Sequence, residues 1–235
     1  MNPRLWIGNR NYSSWSLRAW LCLKWAGVDF DETLIDLDQA GYGERRIAQV
    51  LAVSPSGMVP VLQIGPETIW DTLAIAEWAA EAAPELLPAD RLTRAGVRAA
   101  VGEMHAGFAA LRSELPMNIR RRCVAEGLSG NARADVERID RLWASMRERH
   151  GAAGAFLFGK RSIADAFYLP VATRFRTYGM RLSTAAQGYA DELLHDADFQ
   201  AWQRAALAED PKPFSRAPID SLYTTAEPRR ASRAA

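Results

Sequence analysis

A small α/β domain followed by an all-helical domain is the fold class the sequence predicts, and three observations predict it. Short apolar runs alternate with helical patterns up to Pro84, the segment Pro84–Pro88 then punctuates the chain, and beyond it strand signals nearly vanish. At 235 residues, with 49% hydrophobic and 24% charged, the chain can bury two cores without staples.

The first half reads as strand, helix, strand, helix, strand, strand, helix. Arg4–Gly8 is a short strand, and Trp15–Ala26 a helix with Leu17, Trp20, Leu21 and Trp25 at helical spacing before the stop at Gly27. Glu32–Leu37 is a second strand, and Gly41–Ala52 a short helix or irregular segment. Val61–Ile64 and Thr68–Trp70 flank Gly65–Pro66 as a hairpin, and a helix runs from Asp71 to Ala83. A βαβ unit followed by ββα makes a compact two-layer plan.

In the second half, Val97, Val101, Met104, Phe108, Leu111 and Leu115 form one continuous helical seam that breaks near Pro116. Further helices are expected at Asn131–Arg149, Ile163–Tyr178, Ala185–His195 and Phe199–Leu207, with an irregular tail from Glu209. The domains are expected at residues 1–84 and 91–235, joined by a linker at 85–90.

A net charge of +1 makes no general case for nucleic acid or a membrane surface, and the basic run Arg229–Arg233 reads as a frayed tail. Two cysteines, Cys22 and Cys123, form neither a disulfide framework nor a zinc pattern. The start lacks a secretory apolar stretch and no run is long enough for a bilayer span, so a cytoplasmic protein is expected.

Three segments can carry chemistry. Ser13–Ser14–Trp15–Ser16 lies where the first strand's loop feeds the first helix, and a helix N-terminus offers unpaired N–H groups to an anion. A serine there serves as a cap, as a donor, or as both in neighbouring positions. Met58–Val59–Pro60 opens an apolar strand. Its proline is either an ordinary trans residue or a cis one that frees the Val59 backbone to pair with a peptide-like ligand. Asp71–Thr72 starts the third helix, either as a plain cap or as a grip on a zwitterionic amino acid.

In this order and on this plan, the three motifs resemble the thioredoxin-like domain of the glutathione transferases. The run Ser13–Arg18 is similar to the serine-type active-site segment of zeta-like and related bacterial classes. Ser162 with Asp165 matches the box that the family places at the start of a buried helix. The resemblance extends to about residue 208. It implies that Ser13 faces the glutathione sulfur, with Ser14 the cap and Trp15 beside it. It also implies that Met58, Val59 and a cis Pro60 meet the cysteinyl backbone, while Asp71 and Thr72 hold the γ-glutamyl group. Three departures stand out: Asp–Thr replaces the commoner Glu–Ser, Met58 replaces a polar residue, and Ser13 stands where mixed-disulfide types carry cysteine.

The implied activity is glutathione transfer to a small electrophile, with Ser13 holding the thiolate, glutathione as co-substrate and no metal. Alternatives are a glutathione-dependent isomerase of the maleylacetoacetate isomerase type, a peroxidase, or a non-catalytic glutathione-binding protein on the same fold. Trp15, His105, Phe108 and Arg112 are expected at the second substrate, His105 and Arg112 from a stripe with Arg98 and Trp15 and Phe108 as an apolar wall; the stripe also reads as a solvated or subunit-facing surface. The resemblance also implies a homodimer.

Overall fold

A computed structural model describes residues 2–223; the run Arg229–Arg233 lies outside the described residues. Strand β1 (Arg4–Gly8) pairs in parallel with β2 (Asp31–Ile35) and antiparallel with β3 (Val61–Ile64), which pairs antiparallel with β4 (Glu67–Trp70). The sheet order is β2-β1-β3-β4. Helix α1 (Ser14–Trp25) makes the β1–β2 crossover, and α2 (Ala48–Leu51) is a single turn within the segment expected as a short helix or irregular. Helix α3 (Thr72–Ala82) follows β4.

Alternation sets the sheet in place: Leu5 and Ile7 of β1 are fully buried, as are Val61 and Leu62 of β3. Helix α1 is buried from Ser16 to Leu23, because it packs on α3 and also on the second half of the chain. Cys22 is enclosed in this core, where burial pushes its thiol pKa up, so it serves as a small apolar residue.

The second half contains α4 (Arg91–Ala106), α5 (Ala109–Glu114), α6 (Gly130–His150), α7 (Ile163–Tyr178), α8 (Thr184–His195) and α9 (Ala197–Ala208). Trp143 of α6 sits at its centre, edge-on to Tyr168, Phe175 and Tyr189. Asp165 accepts the Ser162 N–H at 2.7 Å, closing the expected box, and also takes the Leu157 N–H and the Tyr189 hydroxyl.

Most helix ends fall within two residues of expectation, but one seam departs further. The seam does not run on one helix to Pro116: α4 ends at Ala106, and Phe108 takes a left-handed conformation with φ of 58° before α5 begins. Arg112 holds this break, its guanidinium donating to the carbonyls of Met104, His105 and Gly107 that the helix end leaves free. The stripe of Arg98, His105 and Arg112 therefore does not lie on one helix face. Arg98 instead pairs with Glu77 of α3 at 2.9 Å.

After α9, the chain turns back across the first half. Glu209 receives both the backbone N–H and the guanidinium of Arg10, Lys212 pairs with Asp36 at 2.7 Å, and Asp38 accepts from Ser215 and Arg216. Through residue 223 the tail is irregular, as expected, apart from one 3-10 turn at Pro218–Asp220, but it is docked.

Candidate glutathione site

The loop after β1 is tied down before α1 begins. Asn11 bonds Asn118 and receives the Arg120 N–H, so the second half fixes the approach to the helix. Ser13 is the N-cap: its Oγ accepts the Ser16 N–H at 3.3 Å, and its hydroxyl donates to Ser16 Oγ at 2.7 Å. Ser16 Oγ in turn accepts the Gly8 N–H at 3.1 Å. Ser14 is the first helical residue and not the cap expected of it; its Oγ accepts from the Arg174 guanidinium at 3.1 Å. The division of labour within the serine pair is set by these partners, which local spacing does not reveal.

Above the start of α1 lies a cleft of about 530 Å³ between the two halves. Ser13, Ser14 and Trp15 form one wall, Met58 and Val59 another, and Arg112 and Arg174 a third. The Val59–Pro60 bond is cis. The preceding Gly57 has φ of +69°, and a Cβ there would stand 2.8 Å from the Arg45 carbonyl, so only glycine lets the 38–47 loop close against this segment. Tyr12, Tyr42 and Phe214 complete the rim as edge-to-face pairs, with centroids 5.1 and 4.8 Å apart.

Asp71 and Thr72 stand at the start of α3, outside the walls of this cleft. Asp71 caps the helix through the Leu73 N–H at 2.7 Å, and its other oxygen lies 3.6 Å from His105 Nε2. Thr72 is buried and its hydroxyl donates to the Trp15 carbonyl at 3.2 Å, locking α3 to α1. Pro60 is likewise buried behind Val59. Of the residues expected at the second substrate, Trp15 and Arg112 line the cleft, whereas His105 and Phe108 do not. His105 packs edge-on against Trp15 at 5.2 Å from behind, and the left-handed turn at Phe108 directs that residue into the core.

The cleft is cationic: among the described residues Arg45, Arg112 and Arg174 line it and no carboxylate does. A further arginine stands behind Trp15. Arg18 is fully buried, none of its nitrogens has a hydrogen-bond partner among the described residues, and its guanidinium lies 4.8 Å from the Trp15 ring and 5.1 Å from that of Phe167. Burial, followed by the neighbouring Arg112 and Arg174, pushes its pKa well down. Arg174 is also buried and, for the same reason and with Arg112 beside it, is lowered to about 9.

Arg174, Tyr42, Arg45 and Phe214 also line the cleft and are not among the residues expected there from the sequence. Arg174 did leave a signal, as a charged residue inside a helix whose Val171, Ala172, Phe175 and Tyr178 are all core positions. Among the described residues no cluster of His, Cys, Asp or Glu could hold a metal ion, and no helix is long and apolar enough to cross a membrane.

A four-stranded mixed sheet with α1 and α3, joined to an all-helical half, defines a protein of the thioredoxin-like-plus-helical class. The family model for the glutathione S-transferase N-terminal domain matches residues 12–82, which hold all three motifs. It is 38% identical over 105 residues to a maleylacetoacetate isomerase of Pseudomonas aeruginosa, covering 42% of this chain and 48% of that one. Glutathione S-transferase 1 of Dianthus caryophyllus is 40% identical over 84 residues, covering 35% of this chain and 36% of that one. The chain thus spans less than half the length of the curated relatives it matches. Among solved structures, a glutathione transferase homolog from Burkholderia with bound glutathione superposes with a TM-score of 0.65 at 23% identity, covering 88% of this chain and 99% of that one. A diazinon-metabolizing glutathione S-transferase of Bombyx mori superposes with a TM-score of 0.68 at 17% identity, covering 89% and 99%.

Proposed function

We propose that the protein is a glutathione S-transferase that holds glutathione in the cleft above α1 and presents its sulfur, as thiolate, to a small electrophile. The observation that carries this reading is the pair Ser13–Ser14 at the N-terminus of α1, opening into a cleft whose opposite wall is the Met58–Val59 backbone. A free thiol has a pKa of about 8.5, so only a few per cent is ionised at neutral pH. The helix end, a serine hydroxyl and an arginine-lined cleft all favour the anion. The thiol proton leaves to solvent, the sulfur forms a bond to the electrophilic carbon, and the leaving group departs with its electron pair.

Asp71 and the N-terminal end of α3 serve the γ-glutamyl group in this reading, with the Asp71 carboxylate shared between the ligand ammonium and His105. Trp15 and Arg112 face the second substrate. The cytoplasm as location and a homodimer as working form belong to the same proposal, and light scattering tests the latter.

Binding to immobilised glutathione, followed by assay on a panel of haloaromatic electrophiles, a hydroperoxide and a cis-dienoic acid, tests the proposal. Retention with conjugation of an electrophile supports it; failure to bind glutathione ends it. A second reading, isomerisation of an unsaturated acid, is favoured by the arginine-lined cleft and by the isomerase relatives. Turnover of the dienoic acid alone would select it.

A further inference from the structure

We infer that Ser14, and not Ser13, donates the hydrogen bond to the glutathione sulfur, with Arg174 as its positioning residue; the inference rests on the reading that the cleft holds glutathione. A serine hydroxyl has one proton to give. Ser13 gives its proton to Ser16 Oγ at 2.7 Å and takes the Ser16 N–H, so its single proton is committed inside the first turn of α1. Ser16 is fully buried and takes the Gly8 N–H.

Ser14 is arranged the other way. A guanidinium has donors only, so the 3.1 Å contact from Arg174 occupies a lone pair of Ser14 Oγ and leaves its proton free. Among the described residues no protein group accepts that proton, and Ser14 lines the cleft. A donor that itself accepts from a cation is polarised toward its own acceptor.

The geometry of Arg174 is fixed on every side. Its Nε donates to the Leu115 carbonyl at 2.9 Å and its Nη1 to the Pro170 carbonyl at 3.1 Å, so the remaining nitrogen is aimed at Ser14. No acidic side chain forms part of this arrangement, and its positive charge is therefore available to an anion just beyond the Ser14 oxygen. On ionisation the thiol proton passes to solvent, and Ser14 keeps its own.

The test compares Ser14→Ala, Ser13→Ala, Arg174→Met and Arg174→Lys in the full chain. Thiolate formation by bound glutathione is read from its ultraviolet absorbance against pH, and affinity is read with S-methylglutathione, which has no ionisable thiol. Ser14→Ala should cut the thiolate present at neutral pH roughly tenfold while S-methylglutathione affinity holds. Arg174→Met should follow it and Arg174→Lys recover part of the loss. Ser13→Ala should lower the urea midpoint through the lost cap yet change thiolate formation less than about twofold. The reverse pattern, thiolate lost in Ser13→Ala and kept in Ser14→Ala, overturns the assignment while leaving the glutathione reading intact. A wild-type protein that binds neither glutathione nor S-methylglutathione overturns both, and is distinguishable because no variant is needed to see it.

Discussion

The Tyr12 hydroxyl donates to Asp220 Oδ2 at 2.8 Å, joining the loop that precedes α1 to a residue 208 positions later in the chain. Asp220 also accepts from Asn118 and from the Phe214 N–H, so one carboxylate gathers the loop, the second half and the docked tail. Phe214, set against Tyr12 and Tyr42, thereby becomes part of the cleft wall.

Replacing this anchor should release the tail without unfolding the protein. Phe214→Ala removes two edge-to-face contacts, each worth about 0.5–1.5 kcal/mol. The expected outcome is faster amide hydrogen exchange across residues 210–222 with the α1 and α7 amides unchanged. Uniformly faster exchange throughout the first half would show that the tail is integral to the core and not a docked strap.

The tail should also be acid-sensitive. Burial opposes it, but Lys212, the Asp38 N–H and Asn9 hold Asp36 below the ordinary carboxylate range, and Ser215 and Arg216 do the same for Asp38. A depressed folded-state pKa contributes stability above the unfolded value of about 3.9, and that contribution is lost as pH falls through the folded value. The Tm difference between wild type and Asp36→Asn/Asp38→Asn should be present at neutral pH and disappear once the pH has fallen through the depressed folded-state range of these two carboxylates. A difference that persists there contradicts the assignment.

Asp165 is the most consequential buried acid. It accepts from the backbone of Leu157 and Ser162 and from the Ser162 and Tyr189 hydroxyls. Asp165→Ala should orphan those donors and cost about 3 kcal/mol or more, seen as a lower urea midpoint. A loss under about 1 kcal/mol would mean that water replaces the carboxylate.

Arg18 carries the opposite expectation. A buried charge held only by two aromatic faces is weakly compensated, so Arg18→Met should leave urea stability unchanged or raise it by up to about 2 kcal/mol. A fall of about 3 kcal/mol would reveal stronger compensation than the two rings supply.

The sheet, α1 and α3 were legible because alternating and helical periods leave local traces in Leu5, Ile7, Leu17 and Leu21. The helix break at Phe108 was not, because Pro116 is visible locally whereas Arg112 reaching back to three carbonyls is a tertiary event. The serine segment was legible as a site, but the roles within it were not. Ser13 and Ser14 differ by an arginine 160 positions from Ser14, and no spacing rule connects them. The docking of Phe214 and Asp220 was hidden for the same reason: their partners lie far away in sequence.

Proton release on glutathione binding reports whether the cleft holds the sulfur as thiolate. Titration calorimetry at neutral pH in two buffers of different ionisation enthalpy counts the protons that leave with each binding event. A free thiol is almost fully protonated there, so release approaching about one proton per site is expected, and none with S-methylglutathione. Glutathione that binds and keeps its proton, or does not bind at all, would contradict that expectation.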